Sequence, residues 1–203
     1  TRIRVVARDM AANEASLALP HLIKTKKFRY DKMSLSDNFL QQKMPDFQIS
    51  NPNLRGKTPV ETFAFVNGPL RQDNLKTIQS ITQKSEPRPL WQDTFLRMKN
   101  ASPMALFGDA RSYLYQGKAI GESLHEGVDL ASTEHAPIEA ANDGIVVFSG
   151  PLGIYGNAII IDHGIGLFTL YGHQSINNVK TGQPVKKGDV ICNSGMTGLA
   201  GGD

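Results

Sequence analysis

The chain has 203 residues, 40% hydrophobic and 20% charged, an ordinary globular composition with room for one sizeable core and a smaller module. The net charge of +3 and pI of about 9.0 suit an anionic polymer such as a cell wall or nucleic acid but are too small to argue for either; no nucleic-acid partner is expected from the sequence as a whole. No apolar run reaches the roughly 18 residues of a membrane-spanning helix, and the single cysteine, Cys192, excludes an internal disulfide.

The first residue is Thr1, so a processed or trimmed chain is expected, its targeting segment gone. Ile3 to Arg8 alternates and predicts a strand. Ser36 opens a short helix through Phe39 and Leu40, which Pro45 should end. Thr58-Pro59-Val60-Glu61 has the form of a capping box with proline in the first helical position. Gly68-Pro69 predicts a break before a second helical pattern at Leu75, Ile78 and Ile81. Lys84 to Pro89 is polar with two prolines and reads as a linker. Residues 1–86 are thus expected to form a small accessory α+β or helical module, followed by a linker and first strand over 87–102.

Beyond the linker the texture changes. Short apolar runs alternate with glycine turns: Pro137 to Ala140, Gly144 to Phe148, Ala158 to Ile161, Leu167 to Tyr171 and Asp189 to Cys192. Asp162-His163-Gly164-Ile165-Gly166 reads as a hairpin turn. A mainly β domain over 103–203 is predicted, its sheet mostly antiparallel with short connections, and no helix is expected after residue 100.

The chemistry centres on His125-Glu126-Gly127-Val128-Asp129. His125 and Asp129 are two metal ligands four residues apart, and zinc accepts both donor types. Gly127-Val128 is poor helix material, so an extended or looped segment is predicted, with both side chains on one face of a strand. A catalytic zinc needs a third protein ligand. His173, just past an apolar strand, is the candidate catalytic imidazole. His163 is expected to be structural, His135 to lie on the surface and His21 to be irrelevant. Glu126 could act as a general base only in a helix. Arg111 either anchors a substrate carboxylate or pairs with Asp109, and Cys192 reads as a buried inert thiol. The glycine loops at Gly153…Gly156 and Gly198…Gly202 lack a following helix, so no phosphate cradle is expected.

The carboxy-terminal half resembles the lysostaphin-type zinc metallopeptidases, the murein endopeptidases. The resemblance rests on His125 to Ala131, Ala140 to Val146, Tyr155 to Gly164, Thr169 to His173, Val179 to Asp189 and Ser194 to Gly198. It implies an antiparallel β groove with zinc at its floor, His125 and Asp129 as ligands and His173 as the catalytic histidine. Tyr155 and Asn157 join Arg111 as candidate substrate contacts. In the family, Thr-Gly-x-x-x-Gly is followed by His-x-His, which supplies the third ligand and a second imidazole. Here Thr197 to Asp203 reaches that point and the sequence stops, so the third ligand is expected beyond Asp203 and the fragment alone to be inactive.

The implied function is a zinc-dependent endopeptidase that cleaves peptide cross-links of bacterial peptidoglycan in the cell envelope, in the periplasm. The alternative is a degenerate, non-catalytic relative that binds cell wall or activates a partner hydrolase. The implied partners are peptidoglycan peptides and a regulatory protein. Residues 1–86 are expected to modulate access to the groove.

Overall fold

The computed structural model describes residues 3–22 and 24–202. The chain begins with a hairpin of β1 (Arg4–Arg8) and β2 (Glu14–Ala18), in line with the strand predicted there. The Asp9 carboxylate closes its turn by accepting from the backbone N–H groups of Ala11 and Asn13. β3 (Tyr30–Ser34) lies farther along and pairs in parallel with a strand eighty residues on.

Three helices follow. α1 (Asp37–Ser50) starts where Ser36 Oγ accepts from Phe39 N at 3.1 Å. It does not stop at Pro45, as the sequence suggested; it runs through it. A proline inside a helix costs about 3 kcal/mol. Leu40, Met44 and Phe47 on the same helix are all buried, and each buried apolar side chain contributes roughly 1.5–3 kcal/mol. Burial therefore outweighs the break, and the exposed Pro45 ring faces away from the core. α2 (Pro59–Phe65) has the expected capping box: Glu61 N donates to Thr58 Oγ1 at 3.2 Å, and Thr58 N donates to Glu61 Oε2 at 2.8 Å. The predicted break at Gly68-Pro69 is a π-helical turn, Val66–Leu70, that leads without interruption into α3 (Arg71–Ile81). The wider turn accommodates a proline that has no N–H to donate.

The β region comprises β4 (Ser102–Ala105), β5 (Ala110–Tyr115), β6 (Lys118–Leu124), β7 (Asp129–Ala131), β8 (Pro137–Glu139), β9 (Gly144–Pro151), β10 (Asn157–Asp162), β11 (Phe168–Gln174), β12 (Ile176–Asn177), β13 (Pro184–Val185) and β14 (Val190–Asn193). The central, four-stranded sheet has the order β11-β10-β9-β13, and the smaller sheets of the β region have the orders β12-β14-β8, β3-β5-β6 and β4-β7. The pairings within the β region are antiparallel, as predicted; the β3–β5 pair is parallel. Beyond residue 100 the helical content among the described residues is one 3-10 turn, Gly153–Tyr155.

β10 explains the apolar run Ala158 to Ile161. Ile159 and Ile161 pack with Val146, Val185 and Ile191 on one side, while Ala158 and Ile160 pack with Leu152 on the other, where Ile78 and Ile81 of α3 cover them. A strand buried on both faces shows no alternation. A further core joins Leu40, Met44, Phe63 and Val66 of the helices to Tyr113 of β5 and Ile154.

The segment read as a linker is fastened to the central sheet. Asp162 accepts from Ser85 Oγ at 2.7 Å and from Glu86 N at 2.8 Å, and Leu90 N donates to the His163 carbonyl at 2.7 Å. The hairpin turn predicted at 162–166 joins β10 to β11, with Gly164 at φ +91° pressed so closely on the Arg88 carbonyl that a Cβ would overlap it.

His163 in this turn is fully buried, as a structural histidine should be. Its Nδ1 donates to the Asp143 carbonyl at 2.7 Å, Nε2 meets Thr169 Oγ1 at 2.8 Å, and Phe95 packs on the ring at 4.9 Å. Burial pushes its pKa below the ordinary 6.5, against the Asp143 carbonyl and the nearby Asp162 charge. Below about 6.5 the unfolded chain takes up a proton that the folded chain refuses, so this contribution to stability is present above that pH and is lost as pH falls through the folded value. Ring NMR should find that His163 titrates below 6.5, and a ring that protonates at or above 6.5 would contradict its role as a buried neutral pillar.

Candidate metal centre

His125 lies in the loop between β6 and β7, and Asp129 is the first residue of β7. The sequence placed both on one face of a single strand, and the structure corrects this. Four residues of strand would separate them by about 13 Å, too far to share an ion. The loop folds back instead and brings His125 Nε2 within 3.0 Å of Asp129 Oδ1. The segment is not helical, so Glu126 is not presented as in a helical zinc motif.

The surroundings aim these two atoms. His125 Nδ1 lies 3.0 Å from the Leu106 carbonyl, which can only accept, so Nδ1 carries a proton and the Nε2 edge of the ring faces Asp129. The 106–109 loop fixes this arrangement: Gly108 N donates to the His125 carbonyl and His125 N donates to the Asp109 carbonyl. Arg111 NH2 holds the other Asp129 oxygen, Oδ2, at 2.9 Å. Arg111 thus pairs with Asp129 and not with Asp109, whose carboxylate faces Arg29 at 3.6 Å. An imidazole nitrogen and a carboxylate oxygen 3.0 Å apart are held by a proton or a cation between them. A nitrogen and an oxygen so placed, each oriented by a partner behind it, fit a zinc ion. Among the described residues no third His, Cys, Asp or Glu joins the pair.

His173 was expected just beyond its strand. It lies within β11, at a bulge where Asn157 opposes Gln174 and Ile159 opposes Tyr171. Its φ of +66° is left-handed, uncommon for a side chain with a Cβ. Bulges of this kind re-aim a side chain. The ring's Nδ1 donates to the Thr197 carbonyl at 2.8 Å, leaving Nε2 as the acceptor of a neutral ring. Burial is the main force holding its pKa below 6.5; the charges of Lys43 and His125 act in the same direction, and Asp129 and the Thr197 carbonyl oppose them. His173 therefore shares one electrostatic environment with the His125–Asp129 pair.

Thr197 ties the cleft together. Its hydroxyl donates to the Gln174 carbonyl at 2.8 Å and accepts from Asn157 N at 2.9 Å, while its carbonyl holds His173. The Asn157 amide group donates to the Gln174 carbonyl at 3.2 Å. Tyr155 is half-buried, and burial first, then the Glu126 charge, raises its pKa, with Arg71 opposing. Of the residues singled out from sequence, the structure brings together His125, Asp129, Arg111 and His173, and places Tyr155 near Glu126. Lys43 and Arg71, which reach this region from the helices, gave no signal in the sequence, because each lies among ordinary polar helix positions.

Residues 123–203 match the family model described as peptidase family M23. The DD-carboxypeptidase/endopeptidase Mpg of Neisseria meningitidis serogroup B is 42% identical over 79 residues, 39% of this chain and 18% of that protein. The murein hydrolase activator NlpD of Salmonella dublin is 38% identical over 80 residues, 39% of this chain and 21% of that protein. The chain thus spans about a fifth of the length of these curated relatives. A crystal structure of a peptidase M23 from Pseudomonas aeruginosa superposes with a TM-score of 0.52 at 25% identity, covering 66% of this chain and 52% of that one.

Proposed function

Residues 123–203 belong to peptidase family M23, and from that premise we propose that the protein is a zinc-dependent endopeptidase cleaving peptide cross-links of bacterial peptidoglycan. The observation that carries this reading is the 3.0 Å approach of His125 Nε2 to Asp129 Oδ1, with Leu106 and Arg111 orienting the two from behind. A histidine beyond Asp203 is proposed as the third ligand.

Zinc bound there would supply Lewis acidity toward a peptide carbonyl and toward water near neutral pH. The remaining work falls to this chain. Asp129 would hold the ion through Oδ1, since Arg111 occupies Oδ2. His173 Nε2, unprotonated near neutral pH because the ring is buried, can accept a proton from the attacking water and return it to the leaving amine. Asp129 is 46% exposed in its side chain, so the pair is open to an extended peptide on one side. Tyr155 and Asn157 are the proposed contacts of that peptide, and Arg111 reaches it only through Asp129.

Relatives named as lipoproteins and as NlpD support a place in the cell envelope, and the periplasm is the proposed compartment. No helix among the described residues is long and apolar enough to cross a membrane. A second reading is kept because one relative is named a murein hydrolase activator. In it the chain binds cell wall or stimulates a partner hydrolase, and no chemistry passes through His125, Asp129 or His173. Chelation separates the two readings. Loss of cross-linked fragments from purified peptidoglycan should stop when the full-length protein is stripped of metal and resume when zinc is returned. Release that is indifferent to chelation would sink the metallopeptidase reading.

A further inference from the structure

We propose that the helical segment, residues 37–81, is a clamp that positions the candidate site through Lys43, Asn67 and Asn74. Each of these side chains bonds to the backbone of a different segment that carries or holds a site residue. Lys43 Nζ donates to the Met196 carbonyl at 2.6 Å, and the adjoining Thr197 carbonyl is the one that holds the His173 ring. Asn67 Nδ2 donates to the Glu122 carbonyl at 3.1 Å, three residues ahead of His125. Asn74 Oδ1 accepts from Ile154 N at 2.9 Å, immediately before Tyr155.

These bonds are specific. Asn67 and Asn74 are 5% and 7% exposed, and a buried amide is costly unless it is hydrogen-bonded. Helix packing alone would be served better by leucine. Arg71 NH2 donates to Asn67 Oδ1 at 3.1 Å and so fixes which way that amide points. The receiving side is shaped to match. A Cβ on Gly121 would come within 2.9 Å of Asn67 Nδ2, and one on Gly153, at φ +48°, would overlap the Asn74 amide. The helices thus bond to three separate segments around the site at the level of single atoms. On this account they hold the site in place and do not merely cover it, so loosening them should slow the reaction. The catalytic consequence rests on the endopeptidase reading; the geometry does not.

Lys43 is the point to test, because it is only half-buried and its replacement should leave the core intact. Lys43→Met keeps the stem and removes the donor, whereas Lys43→Arg retains a donor. In the full-length protein the amides of Asn157 and Leu199, which bond to Thr197 Oγ1 and the Ile154 carbonyl, report on the clamped segment. Hydrogen exchange at both should be on the order of tenfold faster in Lys43→Met and close to wild type in Lys43→Arg, with Ile161 unchanged. On soluble wall peptides kcat should fall by on the order of ten- to a hundredfold at constant zinc content, with KM within about twofold. Unchanged exchange at Asn157 and Leu199, or acceleration spread evenly through α1 and β10, would overturn the clamp. A wild-type protein that hydrolyses nothing while exchange responds as stated would support the clamp and sink the endopeptidase reading instead.

Discussion

Replacing both His125 and Asp129 by alanine is expected to reduce bound zinc from about one ion per full-length chain to nearly none. The two atoms that face each other at 3.0 Å are the proposed ligands supplied by the described residues, so their loss would leave the ion only the ligand proposed beyond Asp203. The single variants should differ in a second way. Asp129→Ala strips Arg111 of its partner, and that guanidinium is only 20% exposed in its side chain. An unpaired, largely buried charge is costly, on the order of 1–3 kcal/mol or more. The thermal midpoint of Asp129→Ala should therefore fall further than that of His125→Ala. Asp129→Asn, which keeps an oxygen for Arg111, should recover part of that stability while still binding zinc poorly. Metal analysis together with thermal unfolding checks both parts. Undiminished zinc in the double variant would remove the metal centre from the account.

Local signals in the sequence were legible where local forces decide. The capping box at Thr58 and Glu61 is completed by residues three apart, and its hydrogen bonds match the pattern. The turn at 162–166 needs left-handed residues and contains Gly164 and Gly166. Pro45 and Gly68-Pro69 misled because burial of Met44, Phe47 and Val66 overrides the local penalty, and a sequence window does not show burial. At the site, the donor chemistry of His125 and Asp129 was legible, but their approach was not, since it depends on the loop folding back. The left-handed bulge that turns His173 was equally hidden, because the register of β10 against β11 creates it. Lys43, Asn67 and Asn74 could not be found from sequence at all. Their backbone partners lie 153, 55 and 80 residues away. The same distance explains why a boundary near residue 86 looked natural. The chain crosses it with a polar, proline-bearing segment, yet β3 pairs with β5 and Tyr113 packs into the helical core.

The second large effect is expected at His173. Its ring is held through Nδ1 by the Thr197 carbonyl, behind the reacting edge, and not by His125 or Asp129. Removing it should leave zinc in place and remove the proton acceptor. General acid–base catalysis contributes on the order of a hundred- to ten-thousandfold. Because burial keeps the ring neutral below its ordinary pKa of 6.5, the wild-type rate should hold as pH falls through about 6.5 before it declines. His173→Gln should not restore the rate, since an amide cannot take up the proton.

One measurement tests the central claim most directly: digestion of purified peptidoglycan by full-length wild-type and His173→Ala proteins at equal zinc content, with cross-linked and uncross-linked peptides resolved by chromatography. The account predicts that the wild type converts cross-linked dimers into monomers and that His173→Ala is slower by on the order of a hundredfold or more. Equal conversion by both proteins, or none by either, would contradict it.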